Sequence, residues 1–228
     1  MKKTAFTLFG ILAMGSAIVF AQSGTKPTAA TYITDEEVKS VNALPGVDRT
    51  IKVVDIGPEN FAVGIIHRGA TGAARGAAPA GGGAGAGRGA GAGAGAGRGA
   101  AAAGEPCGEQ MTTPPTGGTP GAIAHDQQTE GYLIVSGGGT LVTGGKIVNG
   151  RRSGPDAEVT KILNGPSCSG MTVGADVVKK AVKTGDIIII PAGVPHGWID
   201  ITDHVDYLSF RPSARVLEAG YTNPAIKK

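Results

Sequence analysis

Three side chains of this sequence have the types and the spacing of metal ligands. His125 and His196 can each offer an imidazole nitrogen, and Glu130 can offer a carboxylate oxygen. Two histidines and one carboxylate, with other positions open, form the facial ligand set of non-haem Fe(II) oxygenases, and Mn, Ni, Cu or Zn can occupy the same set. Such a metal would act as a Lewis acid or would activate water or dioxygen. Glu130 can alternatively serve as a general base.

The segment 185–200 predicts how one of these histidines is positioned. Four consecutive isoleucines, 187–190, are typical of a β-strand that is buried on both faces. Pro191 and Gly193 then end the strand and turn the chain. We therefore expect His196 at the mouth of the barrel or sandwich to which this strand belongs, where ligands bind.

This segment resembles the second sequence motif of the cupin superfamily, G-x5-P-x-G-x2-H-x3-N. The chain matches the motif at Gly185, Pro191, Gly193 and His196. It departs at the last position, where Asp200 stands in place of asparagine. The resemblance is specific because four residue types fall at fixed offsets.

A degenerate copy of the first cupin motif, G-x5-H-x-H-x3-4-E-x6-G, lies upstream. The preferred alignment keeps every spacing and loses one histidine; its members are Gly117, Ile123 in place of the first histidine, His125, Glu130 and Gly137. A second alignment takes His125 as the first histidine and Gln127 as the second, with a shortened gap before Glu130. His125, Glu130 and His196 are kept in both.

The resemblance implies an all-β fold, a cupin-type antiparallel β-barrel (double-stranded β-helix or jelly roll), over residues 48–215. An N-terminal extension with a short helix, 22–47, would precede this domain, and a tail, 216–228, would follow it. Cupins generally hold a divalent metal with three histidines and a glutamate, so the chain would lose one ligand to Ile123. A small-molecule ligand or substrate and a homodimer are also implied.

Side chains that share strand parity with the ligands are predicted to point into the same pocket. Arg211 can bind a carboxylate or phosphate group, and Gln127 can lend a carbonyl oxygen under the second alignment. For the others, the alternative is a core or rim position. The predicted pocket residues are Gln127, Tyr132, Trp198, Tyr207 and Arg211.

Alternating apolar residues and turn residues predict the elements around the motifs. Thr34 and Glu37 form a capping pattern for a short helix that ends near residue 44. Strands are predicted at 49–56, 61–68, 122–125, 131–136, 139–143, 159–163, 186–190, 196–201 and 205–211. Residues 173–183 are compatible with a helix or with a strand and a loop. The long interval between the motifs implies an elaborated hairpin.

The N-terminus has the pattern of a secretory signal peptide. Lys2 and Lys3 precede an apolar run over residues 5–20, and the small residues around Ala21 suit cleavage before Gln22. The mature protein would then be secreted or periplasmic. The alternative is an uncleaved membrane anchor, for which the run is short. No other segment is apolar enough to cross a bilayer.

The charge of the chain excludes a nucleic-acid-binding surface. Its formal net charge is +3. Lys2 and Lys3 leave with the signal peptide, and Arg75, Arg88 and Arg98 lie in a low-complexity segment. The remaining chain is therefore slightly acidic, whereas nucleic-acid-binding domains carry clustered basic residues.

Residues 69–104 form a low-complexity insertion of 15 glycines and 16 alanines among 36 residues. The segment has no large apolar side chain to offset the entropy of ordering, so it is predicted to be a disordered loop expansion. There are two alternatives. The alternating glycines and alanines could stack in silk-like sheets, or the arginines could bind an anionic surface.

Cys107 and Cys168 are the two cysteines of the chain. An oxidising compartment permits a disulfide between them. In the chain-entropy model, this disulfide would raise the free energy of unfolding by roughly 3–4 kcal/mol. Two free thiols are the alternative.

Three functions are compatible with these features. The first is an exported, metal-dependent cupin that acts on a small organic molecule by dioxygenase-like, isomerase or lyase chemistry, since the fold does not choose between reactions. The second is a non-catalytic cupin that binds a small ligand or a sugar. This function is suggested by Ile123, which replaces a metal-binding histidine of the motif. A structural protein of the cell envelope, suggested by the insertion, is the third.

Overall fold

The structure, a computed structural model, describes residues 26–71, 104–113 and 116–227. The predicted signal peptide, 1–21, lies outside the described residues. So does the insertion, except for its first three residues and its last. No helix in the described part is long and apolar enough to serve as a membrane span.

The described residues form eleven strands, one α-helix and one π-helix. The helices are α1 (Asp35–Asn42) and the π-helix (Thr160–Asn164). The strands are β1 (Asp48–Asp55), β2 (Asn60–Gly69), β3 (Pro106–Cys107), β4 (Thr119–His125), β5 (Glu130–Thr143), β6 (Lys146–Arg152), β7 (Ser167–Val173), β8 (Val178–Lys183), β9 (Ile187–Ile190), β10 (His196–Ile199) and β11 (His204–Ser213).

Helix α1 begins where the sequence predicts. The Thr34 hydroxyl accepts a hydrogen bond from the Glu37 N–H, and the Glu37 carboxylate accepts one from the Thr34 N–H. This reciprocal pair satisfies two N–H groups that have no partner within the helix. Val41 is the fully buried residue of the helix and packs on the outer face of β1 and β2.

All strand pairs are antiparallel, and β5 links the two sheets of the barrel. The first half of β5 pairs with β9 and β11, and β11 continues to β2 and β1. The second half of β5 pairs with β8 and β10, and β10 continues to β4, β7, β6 and β3. The predicted all-β antiparallel barrel of the jelly-roll type, with a short N-terminal helix, is therefore confirmed.

The sequence predicts two strands, 131–136 and 139–143, where the structure has the single strand β5. The intervening glycines do not end the ladder. Gly137 pairs with Val205 of β11, and Gly138 pairs with Lys183 of β8. The glycines thus mark the bend at which β5 passes from one sheet to the other, since glycine permits a sharp change of direction within a strand.

The prediction that the isoleucine run is buried on both faces is wrong. Strand β9 pairs only with β5 in the described part of the chain, so it lies at a sheet edge. Ile188 and Ile190 face the core, whereas Ile187 and Ile189 are 73% and 74% exposed. An apolar run alone does not reveal whether a second layer covers the outer face.

The segment predicted as strand 159–163 forms the π-helix instead. Leu163 is fully buried against Val53 and Ala62 of β1 and β2, in a cluster that Leu217 completes. Gly64 makes room for Leu163, because an added Cβ would lie 2.9 Å from a Leu163 methyl carbon. Tertiary packing therefore overrides the β-propensity of this apolar stretch.

The interval between the motifs contains β6, the π-helix, β7 and β8. Residues 173–183, for which the sequence leaves two options open, form the end of β7, a turn and β8. Cys107 of β3 and Cys168 of β7 form a disulfide, with the two Cα atoms 5.9 Å apart. The disulfide attaches β3 to the central part of its sheet.

The segment after β11 packs back on β1 and is not a free tail. Leu217 and Asn223 are buried, and the Asn223 side chain donates to the Thr50 carbonyl. Lys52 and Thr222 also form an isolated bridge. These contacts close the outer edge of the first sheet, where β1 would otherwise present an unpaired ladder.

Candidate metal centre

The structure brings His125, Glu130 and His196 together inside the barrel. His125 ends β4, Glu130 begins β5, His196 begins β10, and all three side chains are buried. His125 Nε2 lies 2.9 Å from Glu130 Oε1, and His196 Nε2 lies 3.2 Å from Glu130 Oε2. One ligand atom from each residue lies within 4.8 Å of the others, so the group can hold a metal ion.

Hydrogen bonds at the far side of each ring determine which nitrogen faces the carboxylate. His196 Nδ1 lies 3.0 Å from the Val194 carbonyl oxygen, which only accepts, so Nδ1 carries the proton. His125 Nδ1 lies 2.7 Å from Ser167 Oγ. That hydroxyl donates its own proton to a backbone carbonyl of the preceding loop and therefore accepts from Nδ1. In the singly protonated form of each ring, Nε2 presents a lone pair to Glu130.

Two lone pairs that face one carboxylate require a cation between them. Without a proton or a metal ion, the contacts of 2.9 Å and 3.2 Å are repulsive. Two ligands at right angles about a metal, each roughly 2.1 Å from it, lie about 3 Å apart. Metal-binding histidines also donate their other N–H to a carbonyl or a hydroxyl in this manner. The three residues therefore fit a divalent metal ion.

Glu130 is held ionised by its neighbours. Burial by itself would raise the pKa of Glu130, but the adjacent cationic side chains, Arg211 foremost, outweigh burial and hold this pKa well below its usual range. Arg211 Nη2 lies 2.7 Å from Oε1 as an ion pair, without an aligned N–H. The Tyr132 hydroxyl donates to Oε2. Burial, followed by the Glu130 charge, raises the pKa of Tyr132 well above its usual value, so it stays a donor.

The surroundings of His125 favour its neutral form. Burial lowers the pKa of His125; Glu130 opposes this shift, and the charge of Arg211 adds to it, so that the pKa is lowered overall. A neutral imidazole is the form that binds a metal. The ring is also close to its partner ligand, since the His125 and His196 ring centroids are 5.3 Å apart.

The π-helix positions two of these side chains from outside the barrel. Arg211 donates to the Leu163 carbonyl at 3.2 Å and to the Asn164 side-chain oxygen, and its Nε donates to Ser209 at 2.7 Å. The Asn164 carbonyl accepts from Ser167, which holds His125. Carbonyls at the end of a helix lack partners within it, and here side chains that position the metal centre occupy them.

The turn after β9 connects the two motifs. The Gly193 N–H donates to the His125 carbonyl at 2.7 Å. Gly193 has a φ of +80°, a left-handed conformation that glycine adopts without strain. Ile123 pairs in register with His196 across β4 and β10 and shares the parity of His125. An apolar side chain therefore stands where cupins place a further histidine.

Asp200, which departs from the second motif, occupies a position that explains its type. It follows β10 directly and has a φ of +53°. Among residues with a Cβ, asparagine and aspartate adopt this left-handed region most readily. Aspartate therefore suits this backbone position, as asparagine would. The side chain is exposed and is not a ligand.

The structure does not bring Gln127 to the site. Gln127 is exposed in the turn between β4 and β5, and its neighbour Gln128 is buried, at 1% exposure. Both amide atoms of Gln128 lack a partner among the described residues, and so does the buried Ser213 hydroxyl beside it. Sequence reasoning missed Gln128, although it shares the parity of Glu130.

The predicted aromatic residues form a stack below the ligands. The Tyr132 and Tyr207 ring centroids are 4.3 Å apart, and those of Tyr207 and Trp198 are 5.5 Å apart. All three rings belong to the apolar core, and only Tyr132 contacts a ligand residue by a hydrogen bond. Tyr207 accepts from Arg68 instead. Tyr207 and Trp198 are therefore core residues beside the candidate site.

Arg211 lies inside the site, but its donors are used within the protein. Its side chain is 3% exposed. It contacts Glu130, Ser209 and the π-helix. Its contribution is the charge that it supplies to Glu130, and a ligand carboxylate would have to compete with these contacts.

No protein-family model matches the chain, and no curated protein matches it. Similar solved structures include an oxalate oxidase, 11% identical with a TM-score of 0.31, over 95% of this chain and 71% of that chain. A recombinant oxalate oxidase in complex with glycolate is 11% identical with a TM-score of 0.31, over 94% and 70%. Peruvianin-I, a cysteine peptidase from Thevetia peruviana latex, is 11% identical with a TM-score of 0.30, over 80% and 76%.

Proposed function

We propose that the chain is an exported member of the cupin superfamily that binds a divalent metal and acts on a small organic molecule. The ligands would be His125, Glu130 and His196. The observation that carries this proposal is the convergence of two imidazole Nε2 atoms on one buried carboxylate, with each Nδ1 in contact with an oxygen atom on the far side of its ring. Fe, Mn, Ni, Cu and Zn all accept this donor set.

The residues of the chain prepare the site before any ligand arrives. Ser167 and the Val194 carbonyl fix the two imidazole rings, and Arg211 keeps Glu130 anionic. All three candidate ligand side chains are buried. A bound metal would supply Lewis acidity or would activate water or dioxygen.

Dioxygenase-like chemistry is the reaction class that we place first. Three protein ligands leave open positions for a substrate and for dioxygen, which is the requirement of the facial ligand set. Ile123 in place of a further ligand supports this order, because it leaves one more position open. Isomerase and lyase chemistry rank second, because they need only one open position on the metal.

A non-catalytic module that binds a small ligand is the second candidate function. Arg211 favours it, because this guanidinium already gives Glu130 a cationic partner in the absence of a metal. Under this alternative, the pocket would hold a small molecule such as a sugar and release it unchanged.

The substitution Glu130→Gln separates the two candidates. It removes the charge and keeps the shape, so an enzyme should lose both its bound metal and its turnover of a small-molecule panel, measured by dioxygen uptake and by mass spectrometry. Asp55→Asn is the matched control, since Asp55 is also a buried carboxylate but pairs with Arg215. If neither wild type nor variant forms any product while ligand affinity changes, the binding module is the correct function.

Export is proposed from the sequence pattern of residues 1–21. We expect the mature chain to begin at Gln22, and N-terminal sequencing of the protein purified from its natural source checks this. A chain that still begins at Met1 and stays with the membrane fraction would indicate the uncleaved anchor.

A further inference from the structure

Outside the metal centre, five side chains form a hydrogen-bonded chain where β5, β11 and β2 meet. Asp203 Oδ2 lies 2.7 Å from His204 Nδ1, and His204 Nε2 lies 2.9 Å from Ser136 Oγ. Ser136 Oγ also lies 2.9 Å from Asp206 Oδ2, and Asp206 Oδ1 lies 2.6 Å from His67 Nδ1. We call these five residues the rim array.

The backbone of β5 explains how Ser136 and His204 meet. The register of β5 and β11 shifts beside Ser136, which is the mark of a β-bulge, and bulges re-aim side chains. Gly137 follows with a φ of +66°, and an added Cβ would lie 2.0 Å from the His204 carbonyl oxygen. Only glycine therefore lets β11 approach closely enough to bring the two side chains into contact.

The contacts of Ser136 are those of an activated nucleophile. A nucleophile, a base within hydrogen-bond reach and a third group that orients the base form the general signature of such a site. Here these roles fall to Ser136, His204 and Asp203. Asp206 lies on the other side of the hydroxyl, so the single Ser136 proton has two acceptors at 2.9 Å.

A cavity adjoins the array. Its volume is about 360 Å³, and it begins at Gly137, next to Ser136, and includes His204 and Asp203. This volume lies within the range for small-ligand sites, at its lower end. Ser136 and His204 are partly buried, with 33% of the His204 side chain exposed, so both can be reached from solvent.

We propose that the rim array is a second catalytic site, at which Ser136 is the nucleophile in the hydrolysis of a small acyl ester. His204 is the general base, and Asp203 is a positioning residue that holds its ring. The site shares no side chain with the metal centre and does not depend on the metal.

The reaction balances with water as the co-reactant. Ser136 Oγ bonds to the acyl carbon and gives its proton to His204 Nε2; the bond to the alcohol oxygen breaks, and the alcohol leaves with that proton. Water then attacks the acyl carbon, and its proton passes to His204 Nε2. The bond to Ser136 breaks, the carboxylic acid leaves, and the proton returns to Oγ.

A fluorophosphonate probe tests the proposal on the full chain. We expect one covalent adduct, located on Ser136 by peptide mass spectrometry, and release of p-nitrophenol from p-nitrophenyl acetate. Ser136→Ala should abolish both signals, and His204→Ala should lower the labelling rate about 100-fold or more. Asp203→Asn should lower the labelling rate about tenfold. This loss is smaller than the loss expected for a buried aspartate that orients a catalytic histidine, because the Asp203 side chain is largely exposed. Asp203→Glu should restore most of the rate.

A control variant separates the array from other reactive groups. Ser40→Ala removes a serine outside the array and should keep the labelling rate. No adduct on the folded wild type, an adduct on another residue, or labelling that persists in Ser136→Ala would each overturn the proposal. A rate unchanged by His204→Ala would also overturn it.

Discussion

At the scale of single residues, Arg211 supplies a positive charge to the candidate metal centre. Arg211 is buried and forms an ion pair with Glu130. An ionised carboxylate left alone in a barrel would be costly, whereas a guanidinium or a metal ion compensates for it. Arg211 and a metal are therefore two sources of the same stabilisation.

Replacing Arg211 by methionine should make folding depend on the metal. We expect Arg211→Met to lower the metal-free stability by about 3–5 kcal/mol, because it leaves Glu130 unpaired. Added metal should then raise the melting temperature of the variant more than that of wild type, as thermal unfolding with and without metal will show. Arg215→Met is the control, since its ion pair with Asp55 is partly exposed. An equal metal-induced shift in Arg211→Met and wild type would contradict this role.

Asp200 provides a second test at this scale. Asp200→Asn should be neutral, and Asp200→Ile should cost about 1–2 kcal/mol, because a β-branched residue tolerates a left-handed φ poorly. Urea unfolding measures both. If Asn and Ile prove equally stable, the backbone explanation of this motif position is wrong.

Residue spacing singled out the three candidate ligands but not their partners. His125, Glu130 and His196 converge at strand ends, as the motif offsets imply, because the strand ends and turns that position them are local. Arg211 comes from β11, and its contact with Glu130 depends on which strands are neighbours in the barrel. That neighbourhood is not a local property of the sequence. The second alignment chose Gln127, which is exposed in the turn between β4 and β5.

At the scale of elements, the π-helix and the isoleucine run show where sequence patterns fail. Both segments are short and apolar, so neither their period nor their composition distinguishes a strand from a helix or a covered face from an open one. Leu163 of the π-helix packs in a buried cluster against β1 and β2, whereas Ile187 and Ile189 are exposed on the edge strand β9. Helix α1, whose signal is a capping pair, was predicted correctly.

The disulfide is the element-scale feature with the most direct test. Cys107→Ala/Cys168→Ala should lower stability by about 3–4 kcal/mol, because it frees a loop with a sequence separation of 61 residues. Denaturant unfolding of the oxidised wild type and the variant measures the difference, and reduced wild type should resemble the variant. A loss below about 1 kcal/mol would mean that β3 is held by other contacts.

At the scale of the whole molecule, the barrel interior has two parts of different chemistry. Glu130 and its partners occupy one part, and an apolar cluster that includes Tyr207, Trp198 and Ile134 fills the other. The apolar part stabilises the fold. A ligand would therefore bind in the polar part. The rim array lies on the outside, where β5 bends from one sheet to the other.

The insertion is predicted to be separable from the barrel. Thr71, near the start of the insertion, and Glu105, directly after it, are anchored to Ile201 and Arg152 by backbone hydrogen bonds. Replacing residues 72–103 by a shorter glycine–serine linker should therefore change stability by less than about 1 kcal/mol, because loop entropy varies slowly with length. Thermal unfolding and metal content are the measurements. Loss of metal in this deletion variant would show that the insertion contributes to the site.

The most direct test of the metal centre is elemental analysis of the purified mature protein beside the variant His125→Ala/His196→Ala. We predict close to one equivalent of Fe, Mn, Ni, Cu or Zn in wild type and its loss in the folded variant, because two of the three protein ligands are gone. A folded wild-type protein that binds none of these metals, even after incubation with each in turn, would contradict the proposal.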